Sequence, residues 1–210
     1  MNDVPHGAEP ARALLEVIVE TPADAVEAEA GGADRLEIIR TFEVGGLTPD
    51  FDEVRRILRA SSLPAWVMIR ERPDYALGDE AAALARLREQ AARFAALGVE
   101  GLVTGYVRDG RVDIEALRAA DAGVPLTFHR AFEAAVDPFA ALETLREFPA
   151  VDRVLTNAGA ADWAARAVRL TELRRHARPR IEILVGGGLD AAGRVRRERV
   201  AAAARAARDL

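Results

Sequence analysis

The chain has no cysteine. That excludes disulfides, thiolate nucleophiles and thiolate metal sites together, and it fits a reducing compartment. Lysine is missing too, so all 29 strongly basic side chains are arginine. Schiff-base aldolase chemistry and pyridoxal-phosphate attachment need a lysine amine, and both are excluded. Sulfur is confined to Met1 and Met68, and histidine to 3 positions. No apolar run approaches the roughly 18 residues that span a bilayer, so no membrane partner is expected. Basic stripes interleaved with aromatics are absent, and a net charge of −5 argues against a nucleic-acid partner. Residues 1–13 are polar and lack the apolar centre of a signal peptide; they read as a disordered leader.

What is present is a repeat. Half of the 210 residues are hydrophobic, enough to bury a core without metal or disulfide, and residues 14–210 read as one domain. Short apolar, β-branched runs recur at Leu14–Val19, Arg35–Ile39, Ala65–Ile69, Gly101–Thr104, Pro125–Phe128, Arg153–Thr156 and Ile181–Val185. Such runs suit parallel strands buried on both faces. Amphipathic helical segments alternate with them, at Ala23–Ala30, Phe51–Ala60, Asp79–Leu97, Ile114–Ala120, Pro138–Phe148, Asp162–His176 and Ala192–Arg208. Thr21-Pro22, Thr48-Pro49-Asp50 and Asp137-Pro138 supply helix starts, and Gly98 a left-handed stop. Seven βα units predict an α/β, TIM-type barrel. The rival fold, a doubly wound sheet, lacks its Gly-x-Gly-x-x-Gly fingerprint after the first strand. A closed barrel needs an eighth strand, which this reading expects to be missing or truncated after Leu210.

Polar residues inside apolar strands carry the information. Glu16, Glu37, Arg70, Thr104, His129 and Thr156 stand out, and all are expected to point into the barrel, converging at its C-terminal mouth. There His129 would carry protons near neutral pH, Arg70 would clamp an anionic group, and Glu16 or Glu37 would act as base or orienter. The alternative is an Arg–Glu network that only fills the barrel. Gly186, Gly187 and Gly188 could bind phosphate through their amides, or simply form a tight turn. Residues Glu71–Gly78 form a candidate lid, and Gly45-Gly46 a turn. His6 and His176 read as leader and helix-end residues, and Trp66 and Trp163 as packing. No metal-ligand set is read from the residues, and a small-molecule partner is expected.

Five short motifs resemble one family. They are Gly32-Ala33-Asp34-Arg35-Leu36-Glu37, Gly45-Gly46-Leu47-Thr48-Pro49, Leu102-Val103-Thr104-Gly105, Thr127-Phe128-His129-Arg130-Ala131-Phe132 and Arg153-Val154-Leu155-Thr156. In order, and spread over Leu14 to Leu189, they are similar to the CutC copper homeostasis barrels. The resemblance implies a TIM-type barrel, a cytoplasmic location, homo-oligomers and a role in copper handling, with copper as the implied metal. The chain departs from the family in the first two strands, where Ile18, Val19 and Ile39 replace cysteines of relatives. It also reads Arg70-Glu71-Arg72-Pro73-Asp74 where relatives show Arg-Pro-Arg and glycines. Copper(I) prefers thiolate and thioether ligands, so direct binding is not expected. An acid/base barrel enzyme of lyase, isomerase or hydrolase type and an inactive barrel stay open as alternatives.

Overall fold

The computed structural model describes residues 13–78, 80–159, 162–186 and 201. Numbered along the chain, the strands are β1 (Glu16–Val19), β2 (Arg35–Ile38), β3 (Ala65–Met68), β4 (Gly101–Thr104), β5 (Val107–Arg108), β6 (Arg111–Val112), β7 (Leu126–Phe128), β8 (Val151–Thr156) and β9 (Glu182–Val185). Seven of them pair in parallel in the order β1-β2-β3-β4-β7-β8-β9, while β5 and β6 form a separate antiparallel hairpin. The helices are α1 (Pro22–Gly31), α2 (Phe51–Ala60), α3 (Glu80–Ala95), α4 (Ile114–Ala120), α5 (Pro138–Arg146) and α6 (Trp163–Ala177).

The outer face of the sheet is apolar and the inner face carries a smaller apolar cluster among polar residues, so its strands read as mostly hydrophobic runs. Val19, Leu36, Ile38, Val67, Leu102 and Phe128 point outward and share one core with Ala28, Val54, Leu117 and Leu142 of the helices. Residues of the opposite parity, Ile39, Trp66, Met68 and Val103, with Ile18 against them, make a second cluster inside the curl. Two cores on opposite faces are what a barrel-type sheet with helices outside requires.

Local chemistry sets the helix starts. Thr21 and Asp24 form a reciprocal capping box behind Pro22. Asp113, Asp137 and Asp162 cap α4, α5 and α6 with their carboxylates. Gly98 has φ +82°, the left-handed turn expected there. Thr48 is not a cap as expected; α2 starts after Asp50, and the Thr48 hydroxyl accepts the Arg70 amide at 2.8 Å. The β5–β6 hairpin went unread, although Asp109-Gly110, both at positive φ, is the usual two-residue turn signal. The expected helix Ala192–Arg208, the eighth-strand question, Gly187 and Gly188 lie outside the described residues, as does the leader apart from Ala13.

Candidate functional site

The polar interior residues divide between the two ends of the strands. At the C-terminal mouth, β3 leads into Arg70 and β7 into His129, both buried. Arg70 does not face outward as a clamp. Its Nε donates to the Arg72 carbonyl at 2.9 Å, and Nη2 donates to the carbonyls of Val44 at 2.6 Å and Pro73 at 3.2 Å. Nη1 reaches the Gly45 carbonyl at 3.4 Å. The guanidinium thus ties the loop after β2 to the Glu71–Gly78 loop, and it lies 5.3 Å over the Tyr75 ring.

His129 sits beneath that loop, its ring 5.4 Å from Tyr75. Its Nδ1 accepts the Ala131 amide at 3.1 Å, so that nitrogen carries no proton. Burial, and then the nearby charge of Arg70, lowers its pKa to about 3. The ring is therefore neutral, with its proton on Nε2, and this buried N–H has no partner. Gly105 makes room for it: a Cβ there would lie 2.7 Å from Nδ1.

At the other end, Glu16 and Arg35 open β1 and β2 as register partners and form a buried ion pair at 2.5 Å. Glu37, two residues on and of the same parity, is fully buried too. Burial holds its carboxyl well above the ordinary range, the charge of Glu16 pushes it further, and Arg35 only partly offsets this. Burial also raises Glu16, against the pull of Arg35 and Arg153. Trp66 completes the group, with the guanidiniums of Arg35 and Arg153 at 4.1 and 5.9 Å from its ring centre.

The six expected residues therefore do not converge at one mouth. Along the inner face of β3 the order is Trp66, Met68, Arg70, and the apolar cluster around Met68 follows the carboxylates along the strands. Charged neighbours of Glu16 and Glu37 are Arg35 and Arg153; those of His129 are Arg70 and Arg130. Thr104 and Thr156 share the outward parity of Leu102 and Val154. Thr104 donates to the Ile69 carbonyl at 3.1 Å, and Thr156 to Glu133 at 3.3 Å. The Gly186 amide is used by the Thr156 carbonyl at 3.1 Å, which leaves it no free N–H for phosphate. Sequence reasoning missed Arg35, Thr127 and Arg153. Arg35 and Thr127 sit two residues before Glu37 and His129, so strand parity alone places them on the same inner face.

The model of the CutC family matches residues 13–202. The chain belongs to the CutC family. The human copper homeostasis protein cutC homolog is 35% identical to this CutC chain over 181 residues, which are 84% of the chain and 65% of the human protein. A family protein CutC of Vibrio vulnificus is 32% identical over 182 residues, covering 83% of this chain and 72% of that one. The crystal structure of a CutC from Streptococcus agalactiae superposes with a TM-score of 0.74 over 94% of this chain and 95% of that one, at 24% identity, which shows the fold. The α/β, TIM-type fold expected from sequence is thereby shown, as a curled seven-stranded parallel sheet among the described residues.

The donor set of this CutC does not fit copper(I). Cysteine is absent, and Met68 is spent in the apolar interior cluster. Among the described residues no three His, Asp or Glu side chains gather as a metal would require. At its unpartnered nitrogen His129 carries an N–H, not a lone pair.

Proposed function

We propose that this CutC protein takes part in copper homeostasis, the role its human relative is named for, without holding copper(I) itself. Its working group is His129, which binds an oxygen atom of a small ligand at the barrel mouth. One observation carries this reading: the unpartnered, buried Nε2–H. Leaving such a donor unsatisfied costs about 1–3 kcal/mol, and a ligand carbonyl, phosphate or carboxylate oxygen would recover it. Coordination of copper through Nε2 would move the proton to Nδ1, against the Ala131 amide that Nδ1 now accepts. A general-acid role near neutral pH has no support, because a pKa of about 3 leaves no proton on Nδ1 to give. The missing cysteines favour a reducing, cytoplasmic location, and the family resemblance favours a homo-oligomer.

Two measurements test this together. Cells lacking the gene should lose copper tolerance, and regain it with the wild type but not with His129→Phe, which removes the N–H. Purified protein competing with a copper(I) chelator should show only the weak affinity of scattered surface carboxylates. Unchanged tolerance in the deletion strain rules out the role, and stoichiometric copper(I) retention rules out the indirect mechanism.

A further inference from the structure

The N-terminal end of the barrel holds a second set of unsatisfied groups, separate from the mouth. Arg35 Nε and Nη1, Trp66 Nε1 and Thr127 Oγ1 are buried without a partner. They belong together: Arg35 stacks on Trp66, Thr127 is the register partner of Arg153, and Arg153 also faces the Trp66 ring. A β-bulge where β7 meets β8 sets this pairing, shifting the register between Leu126 and Thr127 so that Val151 and Arg153, not adjacent residues, are opposed. Among the described residues around these donors, the orphan acceptor outside the Glu16–Arg35 ion pair is Asp152 Oδ1. Asp152 is itself bonded to Arg153 at 2.8 Å through its other oxygen. The side chains of Arg153 and Asp152 keep 23% and 37% exposure, so the group reaches solvent from below.

What fills such a site follows from counting donors and acceptors. A water molecule accepts two hydrogen bonds but brings two hydrogens that also need acceptors, and here the unpartnered donors outnumber the unpartnered acceptors. A group that only accepts satisfies the cluster better. The geometry points to a small oxyanion site, of carboxylate, carbonate or phosphate size, at the N-terminal end of the barrel, held by Arg35, Trp66 Nε1 and Thr127. Arginine offers planar paired donors to that chemistry, and the indole N–H can only donate. The formal charges of Arg35 and Arg153 are already offset by Glu16, Asp152 and Glu182, the register partner of Arg153, while burial keeps the proton on Glu37. An entering anion therefore draws a proton onto Glu16, whose carboxyl burial already raises, and binding tightens as pH falls.

Trp66 is the built-in reporter, since the chain has 2 tryptophans and Trp163 is exposed on α6. In full-length Trp163→Phe protein, emission should be titrated with formate, bicarbonate and inorganic phosphate at constant ionic strength, at pH 6 and pH 8. At least one anion should give a saturable change, tighter at the lower pH, and Thr127→Val should weaken it about five-fold, the loss of one neutral hydrogen bond. Trp66→Phe, followed by calorimetry, should weaken it similarly while circular dichroism stays native. No saturable response, one that chloride reproduces equally, or one that Thr127→Val leaves unchanged, means water fills the cluster and overturns the proposal.

Discussion

The two ends of this barrel bury charge in opposite ways. At the mouth, Arg70 meets four backbone carbonyls and His129 is kept neutral by losing a proton. At the other end, Arg35 meets a carboxylate and Glu37 is kept neutral by gaining one. Both arrangements avoid isolated charge in a low-dielectric interior, which is too costly to leave unpaired. They differ in what they leave over: one N–H at the mouth and a group of donors below.

The comparison predicts opposite pH dependences. His129 has a folded pKa of about 3 against an ordinary 6.5. Above pH 6.5 its contribution is whole; below that the unfolded chain takes up a proton that the folded one refuses. Stability is lost as pH falls toward 3, on the order of 5 kcal/mol across the window. For Glu37 the sign reverses. Its folded pKa is raised, so the unfolded chain gives up its proton first and stability falls as pH rises from 4.5 toward the folded value. Urea denaturation across pH should show His129→Gln flattening the acid side and Glu37→Gln flattening the alkaline side. Identical profiles in both variants would remove the contrast.

Arginine removal sharpens it further. Arg35→Met leaves Glu16 buried without its partner and should cost about 3–5 kcal/mol at neutral pH, less in acid where Glu16 takes a proton. Arg70→Met instead releases backbone carbonyls of two loops that water can reach, and should cost about 2 kcal/mol. Its clearer mark is faster proteolysis within residues 71–78, whose loop Arg70 ties down. Equal losses in the two variants would mean that the ion pair is no more critical than the loop tie.

How much of this was legible beforehand follows the same division. Strand parity and turn residues revealed the repeated βα units, since Val, Ile and Leu runs and Asp or Thr caps act locally. The set of buried polar strand residues was also legible, because Glu16, Glu37 and His129 interrupt apolar runs. Their distribution was not. Depth along a strand depends on register between strands, such as Glu37 opposite Trp66, and single-strand patterns do not encode it. Nor could sequence show that Arg70 turns its donors onto Val44, Gly45, Arg72 and Pro73, or that a bulge shifts the pairing of β7 with β8.

The smallest expected effects separate the ends by rigidity. Both polar side chains rest against a glycine of β4 or just beyond it. A Cβ at Gly101 would lie 2.1 Å from Trp66 Nε1 and within 2.7 Å of two further ring atoms, whereas at Gly105 the nearest contact is 2.7 Å from His129 Nδ1. Neither glycine has positive φ, so alanine is penalised by contact and not by backbone strain. Trp66 is held by the Arg35 guanidinium on its face, while His129 has only the Ala131 amide and the Tyr75 ring of a loop. Gly101→Ala should therefore cost about 2–3 kcal/mol and shift Trp66 emission, and Gly105→Ala about 1 kcal/mol as the imidazole tilts toward the loop. A larger loss at Gly105 would show that the mouth is the stiffer end. His129 would then be held too firmly to adjust to a ligand, and the N–H would be a packing compromise.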